Sequence, residues 1–123
     1  MLNKTILMGR LTRTPELRHT SNGTAVSSFS LAIERDYKDS ESGERITDFF
    51  DVVAWRQTAE FVSKYFSKGQ MMAVDGRLQT RTWLDNEGGT RRAIEVVADN
   101  IYFAGSGPDM AMRTPPEDHR VAP

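Results

Sequence analysis

Along most of the chain, apolar and polar positions alternate with a period of two, and turn residues cut that alternation into short runs. Runs rich in Val, Ile, Thr, Phe and Trp predict strands over roughly 4–12, 17–21, 24–35, 45–56, 70–83 and 91–103. One stretch has helical spacing instead. From Thr58 to Ser67, Ala59, Val62 and Phe66 recur at intervals of three and four, with Phe61 and Tyr65 beside them, before Lys68-Gly69 ends the run. Asn22-Gly23 predicts a two-residue hairpin between the second and third runs, since both residues tolerate positive φ. The polar segments 38–44 and 85–90 read as long, solvated loops.

A meander of strands, one helix and a final hairpin is the element order of an all-β, five-stranded closed barrel of the OB type. The short helix falls between the third and fourth strands of that barrel and plugs one end. Residues 1–104 are expected to form this domain. Residues 105–123 hold four of the five prolines and no aliphatic pattern, and read as a disordered Gly/Pro-containing tail.

Side chains on a strand alternate between faces, so each long strand can be partitioned. In 70–83, Met72, Val74, Gly76, Leu78 and Thr80 suit a barrel interior, leaving Asp75, Arg77, Gln79, Arg81 and Trp83 on the solvent face. An exposed indole in register with two arginines adds apolar surface that solubility does not need, and it suits a polyanion with flat bases. The competing reading is an ordinary exposed face with Trp83 packed on a neighbouring loop. In 45–56, Phe50, Val52 and Ala54 form one set and Phe49, Asp51, Val53 and Trp55 the other, so one face must be more than core. Phe29, Leu31 and Ile33 make a core stripe on the third strand, followed by Arg35 and Tyr37, again a cation beside a ring. Bases stacked on aromatic rings with phosphates held by cations is the chemistry of single-stranded nucleic acid, worth about 1–3 kcal/mol per stacked base.

Charge neither supports nor excludes that chemistry. The 123 residues carry 16 Lys+Arg against 17 Asp+Glu, a formal net charge of -1, so any basic surface must come from sorting rather than excess. The absence of cysteine excludes disulfides, thiolate nucleophiles and cysteine-built metal sites, and fits a reducing, cytoplasmic setting. No run reaches membrane-spanning length, so no membrane association is expected. Phosphate-binding loops, dinucleotide fingerprints, nucleophile elbows and zinc-protease helices are all missing from the sequence. His19 reads as a surface residue and His119 falls in the tail. The acidic pairs Asp48/Asp51 and Glu95/Asp99 could bind magnesium, but such carboxylates are usually solvated or paired with arginine. No catalytic residue, metal site or cofactor is assigned.

Four blocks carry a closer likeness: residues 3–11 (NKTILMGRL), 31–37 (LAIERDY), 48–55 (DFFDVVAW) and 75–83 (DGRLQTRTW), with Pro15-Glu16-Leu17-Arg18 and Asn22-Gly23 between them. Over roughly residues 1–104 the chain resembles the bacterial single-stranded DNA-binding proteins. The resemblance implies an OB-fold, usually assembled as a homotetramer, that coats single-stranded DNA without sequence preference during replication, recombination and repair in the bacterial cytoplasm and nucleoid. Its base-stacking positions correspond here to Tyr37, Phe49, Trp55 and Trp83, with Lys4, Arg10, Arg35, Arg77, Gln79 and Arg81 as phosphate or polar contacts. Tyr37 and Phe49 stand where well-known members carry indoles, and Asp51 on the same face repels phosphate unless an arginine pairs with it. Family members commonly end in an acidic tip closed by Ile/Leu-Pro-Phe that docks replication and repair proteins, whereas this sequence ends His119-Arg120-Val121-Ala122-Pro123. Docking by that route is therefore not expected, and a short plasmid or phage member and an altered end both stay open.

Two further readings compete with this one. An OB-type module for RNA or primosome assembly would share the fold. A structural oligomer would use the exposed rings as subunit interface.

Overall fold

The computed structural model describes residues 1–105, so the predicted tail, apart from Gly105, and His119 lie outside the described residues. Seven elements follow one another: β1 (Thr5–Leu11), β2 (Arg18–His19), β3 (Ala25–Lys38), β4 (Arg45–Trp55), α1 (Arg56–Tyr65), β5 (Met71–Leu84) and β6 (Thr90–Phe103). The strands lie in the order β1-β5-β6-β4-β3-β2, and a second pairing of β1 with β3 closes five of them into a barrel. All neighbours are antiparallel except β4 and β6, which run parallel at Val52–Val53 and Val96–Val97. The two-residue β2 is a flap on the outside of β3.

The interior is filled by the alternating sets expected from the sequence. Leu11, Phe29, Leu31, Val52, Ala54, Met72, Val74, Val96 and Ile101 are buried there. Ala59, Val62 and Phe66 plug the end of the barrel from α1 and its exit, as their spacing predicted. Phe66 stacks on Phe103 with centroids 4.7 Å apart. α1 starts two residues earlier than its periodicity shows, because β4 turns into it with no loop, and Arg56 takes up the turn at φ 55°.

Two expectations are corrected, the turn at Asn22-Gly23 and the placement of Leu78 and Thr80. The Asn22-Gly23 turn has three loop residues: the Gly23 N–H donates to the Thr20 carbonyl, and among the described residues Arg56 is the one non-glycine with positive φ, so Asn22 stays on the ordinary side and Gly23 alone takes the left-handed position. The loops at 38–44 and 85–90 are exposed as expected, and each folds around one carboxylate. Asp39 accepts the Glu41 and Ser42 N–H groups, and Asp85 accepts those of Glu87 and Gly89 and the Arg91 guanidinium. Leu78 and Thr80, expected inside, are exposed, Leu78 at 46%, because β1 pairs with β5 only as far as Gly76 and the β5–β6 ribbon then leaves the barrel.

A bulge sits where that ribbon departs. Asp75 pairs with Asn100 and Gly76 with Ala98, so Asp99 is the extra residue. Gly76 is required there, since a Cβ on it would collide with the Val97 carbonyl oxygen. The bulge swings Asp99 to the outer wall beside Arg77.

Candidate nucleic-acid interface

The outer wall of the barrel can be built row by row, because residues directly opposite on neighbouring strands point to the same side. Arg18 pairs with Val26 and Val26 with Trp55, which gives one row across β2, β3 and β4. Ser28 pairs with Val53, Val53 with Val97 and Val97 with Arg77, a second row that runs from β3 to β5. Further along, Ser30 pairs with Asp51, and Arg10, Ala32 and Phe49 form another row. Cation and ring thus flank one small or apolar residue twice, about 10 Å apart at two strand spacings.

Val26, Val53 and Val97 form an apolar cluster of their own on this outer wall. Val53 was expected on a face with Phe49, Asp51 and Trp55, and it is there, but it is buried at 6% exposure beneath its long neighbours. Phe50, on the opposite face, is 38% exposed. The wall therefore has an apolar floor under a rim of rings and guanidinium groups.

The four candidate stacking residues all lie outside the core: Tyr37 is 61% exposed, Phe49 66%, Trp55 38% and Trp83 40%. The indoles are not sealed in the interior. Trp55 shares an open cleft of about 610 Å³ with Arg56, Arg77 and Gln79, walled on the far side by Asn22 and Thr24 of the β2–β3 turn. Arg81 lies over the Trp83 ring with its guanidinium carbon 4.6 Å from the centroid, so one indole face is already covered by a cation. Arg35 donates to the Tyr37 hydroxyl at 3.3 Å. Three cation and ring groups therefore come together: Trp55 with Arg77 and Gln79, Trp83 with Arg81, and Tyr37 with Arg35. Phe49 has Arg10 in its row, but Arg10 donates to the Gly69 carbonyl at 3.0 Å. Lys4 stands apart from the rings, in an ion pair with Asp75 at the start of β1.

Carboxylates occupy most of these cations. Arg35 holds Asp48 in a two-pronged pair at 2.9 and 3.0 Å, Arg77 holds Asp99 at 2.7 Å, and Arg81 lies 3.6 Å from Glu95. Asp48 keeps its carboxyl below the usual range through its hydrogen bond to Arg35, whose own pKa rises, first through Asp48 and then through Tyr37. Lys4 and Asp75 shift in the same mutual way, the ammonium up and the carboxyl down. Three of the four acids considered as magnesium ligands are thus arginine partners. Asp51 has no ion pair among the described residues and stands between Phe49 and Trp55 on their face. Among the described residues no group of three or more His, Asp or Glu could hold a metal. No helix in the same span is long and apolar enough to cross a membrane.

Arg13 and Arg18 escaped the residue-by-residue reading. The two-residue turn expected at Asn22-Gly23 would set Arg18 opposite Ser27, and the observed three-residue loop is what sets it opposite Val26, in the row of Trp55.

Comparison with known proteins agrees with the barrel. The Single-strand binding protein family matches residues 2–104. A single-stranded DNA-binding protein of Caldanaerobacter subterraneus subsp. tengcongensis is 44% identical over 120 residues, covering 98% of this chain and 79% of that protein. One from Halalkalibacterium halodurans is 48% identical over 103 residues, 84% of this chain and 61% of its own length. Single-stranded DNA-binding protein 1 of Staphylococcus aureus strain MSSA476 is 52% identical over 103 residues, 84% of this chain and 65% of its own length. In these last two the match spans less than two thirds of the relative. The family match over residues 2–104, with relatives 44–52% identical to the chain, makes it a member of the single-strand binding protein family.

Proposed function

We propose that the chain binds single-stranded DNA with little sequence preference, without catalysing a reaction on it, and protects it during replication, recombination and repair. The observation that carries this reading is the half-exposed Trp55 in a cleft with Arg77 and Gln79, in one row with Arg18 over an apolar floor. A ring of this kind offers a stacking surface to any base, and a flanking guanidinium takes the phosphate. Duplex DNA keeps its bases stacked on one another and gains nothing from such a surface. Tyr37, Phe49, Trp55 and Trp83 stack bases, and Lys4, Arg10, Arg35, Arg77, Gln79 and Arg81 contact backbone. The binding unit is residues 1–104.

Assembly as a homotetramer is part of the reading. Ile6 and Met8 are 72% and 58% exposed on the outer parity of β1, an apolar strip that another copy of the chain would cover. The cytoplasm and nucleoid are where such an assembly meets its DNA.

Titration with oligo(dT), followed by tryptophan emission at low salt, tests the reading. Quenching that weakens as salt rises is the expected result, because bound cations release counterions. Absence of quenching would overturn it, and clear preference for RNA of equal length would favour the RNA-binding module instead.

A further inference from the structure

We propose that Arg13, Arg18 and Ser28 form a phosphodiester subsite on the β2 side of the wall, holding the backbone of a strand whose base lies on Trp55. The proposal rests on the reading of the chain as a single-stranded DNA binder, and it names where that strand's phosphate is gripped. It follows first from which cations are free. Lys4, Arg35, Arg77 and Arg81 each already face a carboxylate. Arg13 and Arg18 have no ion pair among the described residues, and both are exposed. A phosphate arriving there displaces water rather than a protein carboxylate, which makes the contact stronger than one at a neutralised arginine.

The shape of the surface favours the same place. Arg13, Thr14, Glu16, Arg18 and Ser28 enclose a hollow of about 340 Å³ on the outer wall. Arg18 is steadied by donating to the Ser28 hydroxyl at 3.3 Å. Thr14 accepts the Lys68 N–H at 3.0 Å through its hydroxyl oxygen, so its own proton remains to be donated to an anion. Glu16 is the one acid on this rim, leaving two guanidinium groups against one carboxylate, a net positive hollow. Planar guanidinium groups with hydroxyl donors between them match the tetrahedral oxygens of a phosphodiester.

Continuity with the stacking surface is the third observation. Arg18, Val26 and Trp55 form a single row, and Ser28 begins the next row, which crosses Val53 and Val97 to Arg77. The hollow and the Trp55 cleft thus lie on either side of the same apolar floor, about two strand spacings, or 10 Å, apart. A base resting on the indole has its backbone directed to one of two sides. On the Arg77 side Asp99 stands guard at 2.7 Å from the guanidinium, whereas the Arg18 side is open.

The test uses the full chain and oligo(dT), with tryptophan quenching measured over a series of salt concentrations. For the double variant Arg13→Gln/Arg18→Gln, two phosphate contacts fewer should lower the slope of log K against log[salt] by about 1.4, at about 0.7 per contact on single strands. If the two lines converge near 1 M salt, that is about 25-fold weaker binding at 0.1 M. Saturating quench should be unchanged, since the rings still stack, and this separates a lost phosphate grip from a lost platform. Arg18→Lys should keep most of the slope while binding less tightly. A wild type that is quenched normally and a double variant with unchanged affinity and slope would overturn the subsite alone. A wild type that shows no quenching would overturn the DNA-binding reading and the subsite with it. Should the double variant unfold, Arg13→Gln alone carries the test, with a slope lowered by about 0.7 expected and an unchanged slope counting against the subsite.

Discussion

If the β6 carboxylates compete with DNA for the β5 arginines, removing one should tighten binding. Asp99 is the best placed, because the bulge at Asp75-Gly76 turns it outward and Arg77 donates to it at 2.7 Å. Both side chains remain well exposed, at 48% for Arg77 and 40% for Asp99, so their pair contributes only about 0.2–1 kcal/mol to stability. Binding a phosphate at Arg77 requires that pair to be given up, and it places a second anion near the carboxylate. At about 6 Å in water this repulsion is about 0.7 kcal/mol by Coulomb's law. Asp99→Asn removes both costs, which together come to about 1 kcal/mol, or roughly fivefold tighter binding at low salt. One arginine freed to release a counterion should also steepen the salt slope by about 0.7. The assay is fluorescence titration of wild type and variant with the same oligo(dT) at several salt concentrations, with urea unfolding to show that stability changes by less than about 1 kcal/mol. Weaker binding by Asp99→Asn would refute the reasoning, because it would mean that Asp99 orients Arg77 for DNA instead of withholding it.

Asp51→Asn should tighten oligo(dT) binding about threefold at low salt, since it removes one repulsion of about 0.7 kcal/mol between Phe49 and Trp55; equal affinity would show that the strand avoids this stretch of β4. Gly76→Ala should destabilise the barrel by about 1–3 kcal/mol in urea unfolding, because its methyl group meets the Val97 carbonyl, and a loss below about 0.5 kcal/mol would contradict the close approach. Asp85 and Asp39 hold their carboxyls below the usual range, Asp85 mainly through the Gly89 N–H and Asp39 mainly through the Ser42 N–H. A depressed carboxyl stabilises the fold above its ordinary pKa of about 4 and ceases to as pH falls through the lowered value. The thermal midpoint should therefore drop below about pH 4, less steeply in Asp85→Asn, and identical acid profiles would remove Asp85 from the account.

Much of this was legible in the alternation of residues. Strand parity put Trp55 on the outward set and Val52 and Ala54 inward because the barrel wall leaves each strand one wet and one dry face. The same rule failed at Leu78 and Thr80, where the ribbon leaves the barrel and both faces are wet. At Val53 the face was right but the residue is buried there, in a cluster with Val26 and Val97. Parity is a property of one strand, whereas exposure depends on the neighbours that register supplies. Ion pairing was beyond reach in the same way: that Asp99 faces Arg77 depends on a bulge that a lone Gly76 does not announce. The family resemblance located the rings, and the rows show what surrounds them.

The central claim is that rings on the outer wall stack bases while charge acts separately. The most direct measurement is the oligo(dT) affinity of Trp55→Ala and Trp83→Ala across a salt series. Each should lose about 1–3 kcal/mol of binding with the salt slope unaltered. Unchanged affinity in both variants, with the fold intact, would contradict the account.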